Sequence, residues 1–308
     1  MSQTPLTELD FEPIGGEIGL DPESKRKKTT YWKDVWRNFK KNKAAFVSLF
    51  VIALLILLVL IGPGMNPFDY RTNDYSVINF PPDSVHWFGT DTMGRDIWTR
   101  VWEGGRVSLL IALLGTLFPE LIGMAIGGIS GYFGGKVDMV IMRMIDVLMG
   151  IPSLIYMILL MLVFGSGNIV TLIIAISITG WMGAARSTRG LVLQLKGRDF
   201  VVASKTLGGS AGWIILRRLI PNILGYRVVS ITMSIPSVIF YEALLSYIGL
   251  GVTPPVPSWG QLIKSAGENF RYYPYQFIIP CMMVGITMLS FNLVGDGLRD
   301  ALDPRLRT

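Results

Sequence analysis

Six long apolar runs, each bounded by polar segments, form the dominant pattern of this 308-residue chain. Each run holds about 17–25 residues, enough for an α-helix to cross the roughly 30 Å hydrocarbon core of a membrane. Backbone amide and carbonyl groups cannot stay unpaired in lipid, so the crossing segments have to be helical. The sequence therefore predicts an all-α, polytopic membrane protein with six transmembrane helices. The runs are Ala44–Ile61, Val107–Gly131, Val147–Phe164, Ile169–Ala185, Val228–Leu250 and Phe277–Val294.

The distribution of Lys and Arg orients these helices. If the N-terminus lies inside, the inner segments carry 22 of the 28 basic residues and the outer segments carry 6. Cytosolic segments of membrane proteins have such an excess, so both termini and the loop 186–227 are expected on the cytosolic side of the cell membrane. Topology thus accounts for the net charge of +6, and no nucleic-acid partner is predicted.

The first 43 residues are predicted to form a cytosolic tail in two parts. Residues 1–24 are polar, acidic and rich in Pro and Gly, a composition typical of disorder. Residues 25–43 are basic and carry Trp32 and Trp36 at helical spacing, which favours an amphipathic helix on the lipids of the inner leaflet. A calmodulin-type peptide target has a similar pattern, but the position directly before a membrane span favours the lipid interpretation.

The loop 186–227 contains a water-soluble helix–Gly–helix insert. We predict a short helix with Asp199 as its N-cap, ended by Gly208 in the left-handed conformation. Spacings of three and four place small and apolar side chains on one face, which indicates a docking surface for a cytosolic protein. A second helix is predicted from about Ser210 to Pro221, which cannot continue it. The predicted docking residues are Asp199, Phe200, Val201, Ala203, Ser204, Leu207 and Gly208.

Two backbone features are predicted within the runs. Gly123, Gly127 and Gly131 recur every four residues, so they share one face and form a seam that lets another helix approach closely. Pro152, which follows Gly150 by two residues, removes a helical hydrogen bond and predicts a kink or a late start in the third run.

Two carboxylates, Glu120 and Glu242, lie inside the runs. A charge at mid-bilayer costs about 3 kcal/mol on insertion scales, so each carboxylate has to face protein or water. For Glu120 we favour a structural interpretation: a hydrogen bond to a neighbouring helix, or a protonated acid. For Glu242, that interpretation and a polar wall of a translocation path are equally open. Three serines would make the same side of the fifth run polar: Ser234, Ser237 and Ser246.

The sequence lacks the residue patterns of nucleotide, protease and metal sites. No phosphate-binding Gly-x-x-x-x-Gly-Lys-Ser/Thr loop occurs, so any ATP that drives this protein is hydrolysed by another chain. Ser130 stands in a Gly-x-Ser-Gly pattern, but the single histidine, His86, is predicted on the opposite side of the membrane and cannot act as its base. His86 has no neighbouring Cys or His, and Cys281 has no partner for a disulfide. We predict a protein without enzymatic activity, metal or cofactor.

Two patterns resemble the permease subunits of ATP-binding-cassette importers. Their cytosolic loop has Glu-Ala-Ala, three residues, Gly and a later Leu-Pro. Here Val202-Ala203-Ser204, Gly208 and Leu219-Ile220-Pro221 stand at that spacing, with Val202 in the place of the acid. The segment His86–Arg100 resembles the stretch before the second span of oligopeptide and dipeptide permeases, and Gly131–Asp138 fits the same family.

The resemblance implies one of two membrane subunits of a type I importer, similar to the C-type permease of peptide systems. The implied partners are a homologous second permease, two cytosolic ATPases and an extracellular peptide-binding protein. The expected organisation is a tail (1–43), a first span with an extracellular loop (44–106) and a permease core (107–308). Permeases for nickel chelates or glutathione are related alternatives. A self-contained channel or ion-coupled carrier is the rival, which leaves the helix–Gly–helix insert unexplained.

Overall fold

A computed structural model describes residues 31–302, without the side chains of Tyr31 and Trp32. The predicted disordered segment 1–24 and the start of the basic segment lie outside the described residues. A π-helical segment, Ile215–Leu219, connects two of the helices. The α-helices of the described residues are α1 Tyr31–Phe39, α2 Lys43–Ile61, α3 Ile97–Phe133, α4 Gly135–Met149, α5 Ser153–Phe164, α6 Ile169–Leu195, α7 Asp199–Thr206, α8 Ala211–Ile214, α9 Ile220–Tyr247, α10 Trp259–Gly267 and α11 Pro274–Leu302.

The membrane-spanning elements agree with the apolar runs. Within residues 31–302, five helical stretches are long and apolar enough to cross a membrane, and a sixth arises if α4 and α5 together form one span. These two helices meet at 84° across Gly150–Pro152, the position at which the sequence predicts a kink or a late start. Pro152 has no amide hydrogen to extend α4, and it directly precedes the first residue of α5. The prediction of an all-α, polytopic membrane fold is confirmed.

The prediction that Pro221 ends a helix is wrong. The chain remains helical from Ala211 to Tyr247, and Pro221 lies in the first turn of α9. The preceding π segment allows this, because the amide of Ile220 bonds to the carbonyl of Ile215, five residues back. The wider turn, together with the position of Pro221 at the start of α9, allows the ring and its missing donor to be accommodated without ending the helix.

Among the described helices, α3 and α6 share the most extensive contact. A Cβ atom built on Gly123 would lie 2.4 Å from the Cβ of Ala184, and one built on Gly127 would lie 2.2 Å from the carbonyl oxygen of Ala185. A Cβ on Gly131 would lie 2.9 Å from Val192. The glycine face of α3 is thus in backbone contact with α6.

The amphipathic helix α1 packs on one end of the bundle. Its Val35 and Phe39 are buried against α2 and α11, while Trp36 is 46% exposed. At the opposite end, the loop between α2 and α3 is held by Asp96, which caps α3 at the amide of Thr99 and bonds to the ring of His86.

We expect Gly127→Ala to destabilise the protein by about 1–3 kcal/mol, because the added methyl group meets backbone atoms that cannot move aside. Gly190→Ala is the matched control, since a Cβ there has no neighbour within 4 Å and alanine is the better helix former. The apparent melting temperature of the purified protein should fall for Gly127→Ala and stay equal or rise for Gly190→Ala. Equal values for both variants would contradict the packing of α3 on α6.

Candidate functional site

The insert between α6 and α9 presents an apolar surface at one end of the molecule. Leu207 is 87% exposed, Val202 50% and Phe200 38%, and Ala203 and Gly208 are also exposed. Val201 and Ser204, two of the predicted docking residues, instead face the protein and are buried. The hydroxyl of Ser204 donates to the carbonyl of Phe200. The surface open to a partner, called the α7 face below, thus comprises Phe200, Val202, Ala203, Leu207 and Gly208.

The start of α7 differs from the prediction. Arg198, in extended conformation, is the N-cap, and its carbonyl accepts the amides of Val201 and Val202. Asp199 is the first helical residue and makes no side-chain cap, so its prediction as the N-cap is wrong. Its carboxylate still lies in the first turn, where negative charge is favoured by the helix dipole.

The end of α7 is closed by the glycines. Gly208 has φ +81°, which a side chain disfavours. The amide of Gly209 bonds to the carbonyl of Ser204, and the amide of Gly208 bonds to that of Lys205, the pattern of a Schellman motif. Ser210 then caps α8 by accepting the amide of Trp213 at 3.4 Å. The insert is a defined turn between two helix ends.

A buried apolar cluster mounts α7 on the spans. Val201 of α7 packs with Val192 of α6, Ile214 of α8, and Ile215 and Leu219 of the π segment. All five residues are at most 7% exposed. A displacement of α7 would therefore press on the adjoining ends of α6 and α9, because close-packed side chains have no free volume to absorb it.

A cavity of about 470 Å³, called the polar cavity below for the hydroxyl groups along one wall, lies between α3, α4, α5, α6 and α9. Ser234 and Ser237 line it, together with Tyr226, Ser230 and Tyr241 of the same helix. These five positions recur at spacings of three and four, so they form one face of α9. The cavity wall thus offers hydroxyl groups, and it is lined at one end by Glu120.

Glu242 and Ser246 lie outside that cavity. Glu242 is 1% exposed and accepts hydrogen bonds from Ser108 of α3 at 3.0 Å and Ser246 at 2.9 Å. Ser108 in turn accepts the amide of Trp259, the first residue of α10, whose indole nitrogen donates to the carbonyl of Val101. Glu242 therefore fastens α10 to α3 and α9, and the structure places neither it nor Ser246 on the cavity wall.

Glu120 has a partner that the sequence analysis missed. Arg227 Nη1 lies 3.0 Å from Glu120 Oε2, and the hydroxyl of Ser230 donates to Oε1 at 2.9 Å. The favoured hydrogen bond to a neighbouring helix is confirmed, but it belongs to a buried ion pair. Arg227 directly precedes the fifth apolar run, so the sequence pattern assigns it to the charged loop and not to a span. Arg227 and Ser230 lie three residues apart, which places them on the same side of a helix; this spacing was the available signal that both could reach one carboxylate.

Comparisons with known proteins agree with this architecture. Residues 121–308 match the family of binding-protein-dependent transport system inner membrane components, and residues 30–82 match the N-terminal transmembrane domain of oligopeptide transport permease C. An oligopeptide transport system permease protein of Bacillus subtilis is 43% identical over 297 residues, covering 96% of this chain and 97% of that protein.

A dipeptide transport system permease protein of the same organism is 42% identical over 284 residues, covering 92% of this chain and 88% of that protein. Among solved structures, the inward-facing MetNI methionine ABC transporter aligns with a TM-score of 0.53 and 18% identity. That alignment covers 65% of this chain and 95% of the transporter chain, and it supports the fold alone.

We expect Glu242→Gln to loosen α10, because the amide keeps the volume but replaces one acceptor oxygen by a donor that faces hydroxyl donors. A buried group left unsatisfied costs about 1–3 kcal/mol, so amide hydrogen exchange in α10 should accelerate about tenfold or more. Ser265→Ala is the control, since that hydroxyl bonds to the carbonyl of Leu262 in its own helix. Unchanged exchange in Glu242→Gln would contradict the fastening role.

Proposed function

This chain belongs to the inner-membrane components of binding-protein-dependent transport systems and is a permease component of an ABC importer, and we propose that its cargo is oligopeptides or dipeptides. The cargo assignment rests on 43% and 42% identity, over nearly the whole chain, to permeases named for those peptides. Permeases for nickel chelates or glutathione remain the alternative within the same class of importer.

We propose that two cytosolic ATPases dock on this subunit and on a homologous second permease, one on each. The α7 face supports this. It is apolar, its helix ends in a defined turn at Gly208, and Val201 on the opposite side of the helix packs in a buried cluster. A surface with these properties can bind a partner and transmit the partner's displacement to the spans. An extracellular peptide-binding protein completes the assembly, on the side of the loop between α2 and α3.

In this proposal both termini and the α7 face lie in the cytosol. The charge asymmetry supports that orientation, with 22 basic residues on the proposed inner side and 6 on the outer side. ATP-driven closure of the ATPases displaces α7, and the cluster around Val201 carries the displacement to α6 and α9. The subunit converts it into alternating access of a path between the two permeases.

The translocation path is proposed to run along the polar face of α9, at Ser234 and Ser237. Hydroxyl groups on this wall can bond to a peptide backbone whatever its side chains are. Loosely placed polar groups suit a path for many peptides, whereas a site for a single ligand requires several convergent groups. Glu242 and Ser246 are withdrawn from the proposed path, since they are buried under α10.

We expect Leu207→Asp to detach the ATPases, because it would bury an unpaired charge at the interface, at a cost of about 3–5 kcal/mol. Val202→Glu is the matched control: it adds the same charge to the insert, at the position where importers of this class carry their acid. The amount of ATPase that co-purifies should fall sharply for Leu207→Asp and persist for Val202→Glu. Equal retention in both variants would remove the docking role of Leu207.

Peptide uptake tests the cargo directly. An amino-acid auxotroph that lacks this gene and has no second peptide importer should fail to grow on peptides containing that amino acid, while growth on the free amino acid continues. Uptake of radiolabelled dipeptides and oligopeptides should fall to the background. Unimpaired uptake of both would leave an importer permease with a different cargo.

A further inference from the structure

A buried ion pair joins three spans next to the polar cavity. Arg227 of α9 is 1% exposed, and it bonds to Glu120 of α3 at 3.0 Å. Its guanidinium also reaches α6, where Nη2 donates to the hydroxyl of Ser187 at 2.8 Å and Nη1 approaches the carbonyl of Ala184 at 3.4 Å. One side chain thus connects α3, α6 and α9 at a single depth.

The pair is placed where these helices cannot slide independently. Ala184 faces Gly123 in the close contact of α3 with α6. Gly123 lies one turn from Glu120 on α3. Arg227 lies about two turns beyond Leu219, the π-segment residue in the cluster that mounts α7. A movement of α7 therefore reaches this pair through continuous helix and packed side chains.

The bonding of the pair argues against a role as a ligand for peptide charge. Both oxygens of Glu120 are occupied, one by Arg227 and one by Ser230, and the two charges cancel. Separating α3 from α9 would leave each charge unpaired within the span region, which is strongly unfavourable. The three helices should consequently stay together whenever α7 moves.

We propose that Glu120 and Arg227 are positioning residues for transport: they clamp the inner halves of α3, α6 and α9 into one body that moves with α7. The proposal rests on the function proposed above. Transport then depends on the pair because the displacement of α7 turns the cavity wall as a whole. Without the pair, α9 can shift against α3 and the displacement is lost between them.

The number of peptides imported per ATP hydrolysed tests this role, because a loss of protein amount alone would not change that ratio. In the reconstituted complete importer, Glu120→Gln should keep its ATPases bound while the ratio falls by about tenfold. Glu103→Gln makes the same change in an exposed ion pair with Arg106 within α3, away from the cavity, and should leave the ratio within about twofold of wild type. An unchanged ratio in an assembled Glu120→Gln importer would overturn the proposal.

A cross-link tests the rigid body even if Glu120→Gln fails to assemble. A Cβ on Gly128 of α3 would lie 3.3 Å from Cγ2 of Ile215 in the π segment, so cysteines at these two positions would face each other at close range. The importer with Gly128→Cys and Ile215→Cys, in a Cys281→Ser background, should form the bond on oxidation and transport as well as when reduced. Loss of transport that reduction restores, or failure of the bond to form, would overturn the clamp.

These outcomes are distinct from failure of the proposed function. If the unmodified importer hydrolyses ATP but takes up no peptide, the cargo is wrong, and the cross-link can still be judged by nucleotide-dependent access to the cavity. If the unmodified importer takes up peptide and the Glu120→Gln importer transports as well as wild type, the cargo assignment stands and the clamp is refuted.

Discussion

Carboxyl groups buried within the spans have to find hydrogen-bond donors inside the protein, and this constraint organises the bundle. Lipid offers no hydrogen bonds, so each buried carboxylate has to gather donors from neighbouring helices. Glu120 gathers Arg227 and Ser230 near the end that carries α7, and Glu242 gathers Ser108 and Ser246 near the end that carries α10. Both sites join α3 to α9, one at each end of the spans.

The polar cavity lies between these two sites at which α3 is bonded to α9. One wall of the cavity is a face of α9, and α9 is bonded to α3 at both ends of that face. The wall can therefore move as a unit with α3. The bent pair α4 and α5 is different: most of its side chains are exposed, and it contributes few buried residues, such as Ile145 and Met157. The bundle thus combines a tightly joined centre with a flank whose side chains are mostly exposed.

Much of this could be predicted from sequence, because membrane helices follow length and hydropathy. The spans, the break at Pro152 and the left-handed Gly208 depend on local chemistry and agree with the structure. What depends on three-dimensional context was missed. Pro221 continues a helix because a π turn precedes it, and Arg227 lies inside the protein because Glu120 faces it. Periodicity on a helix of eight residues could not show that Val201 and Ser204 face inward, since that depends on where the spans lie.

The central claim is that the α7 face receives the ATPase, and photo-cross-linking tests it most directly. A photoreactive phenylalanine analogue at Phe200 replaces an exposed aromatic residue by one of similar shape, and the same analogue at the exposed Tyr75 serves as its counterpart at the other end of the bundle. In membranes that transport normally, irradiation should join position 200, and not position 75, to an ATP-binding subunit. Capture of the ATPase from position 75, or its absence from position 200, would contradict the account.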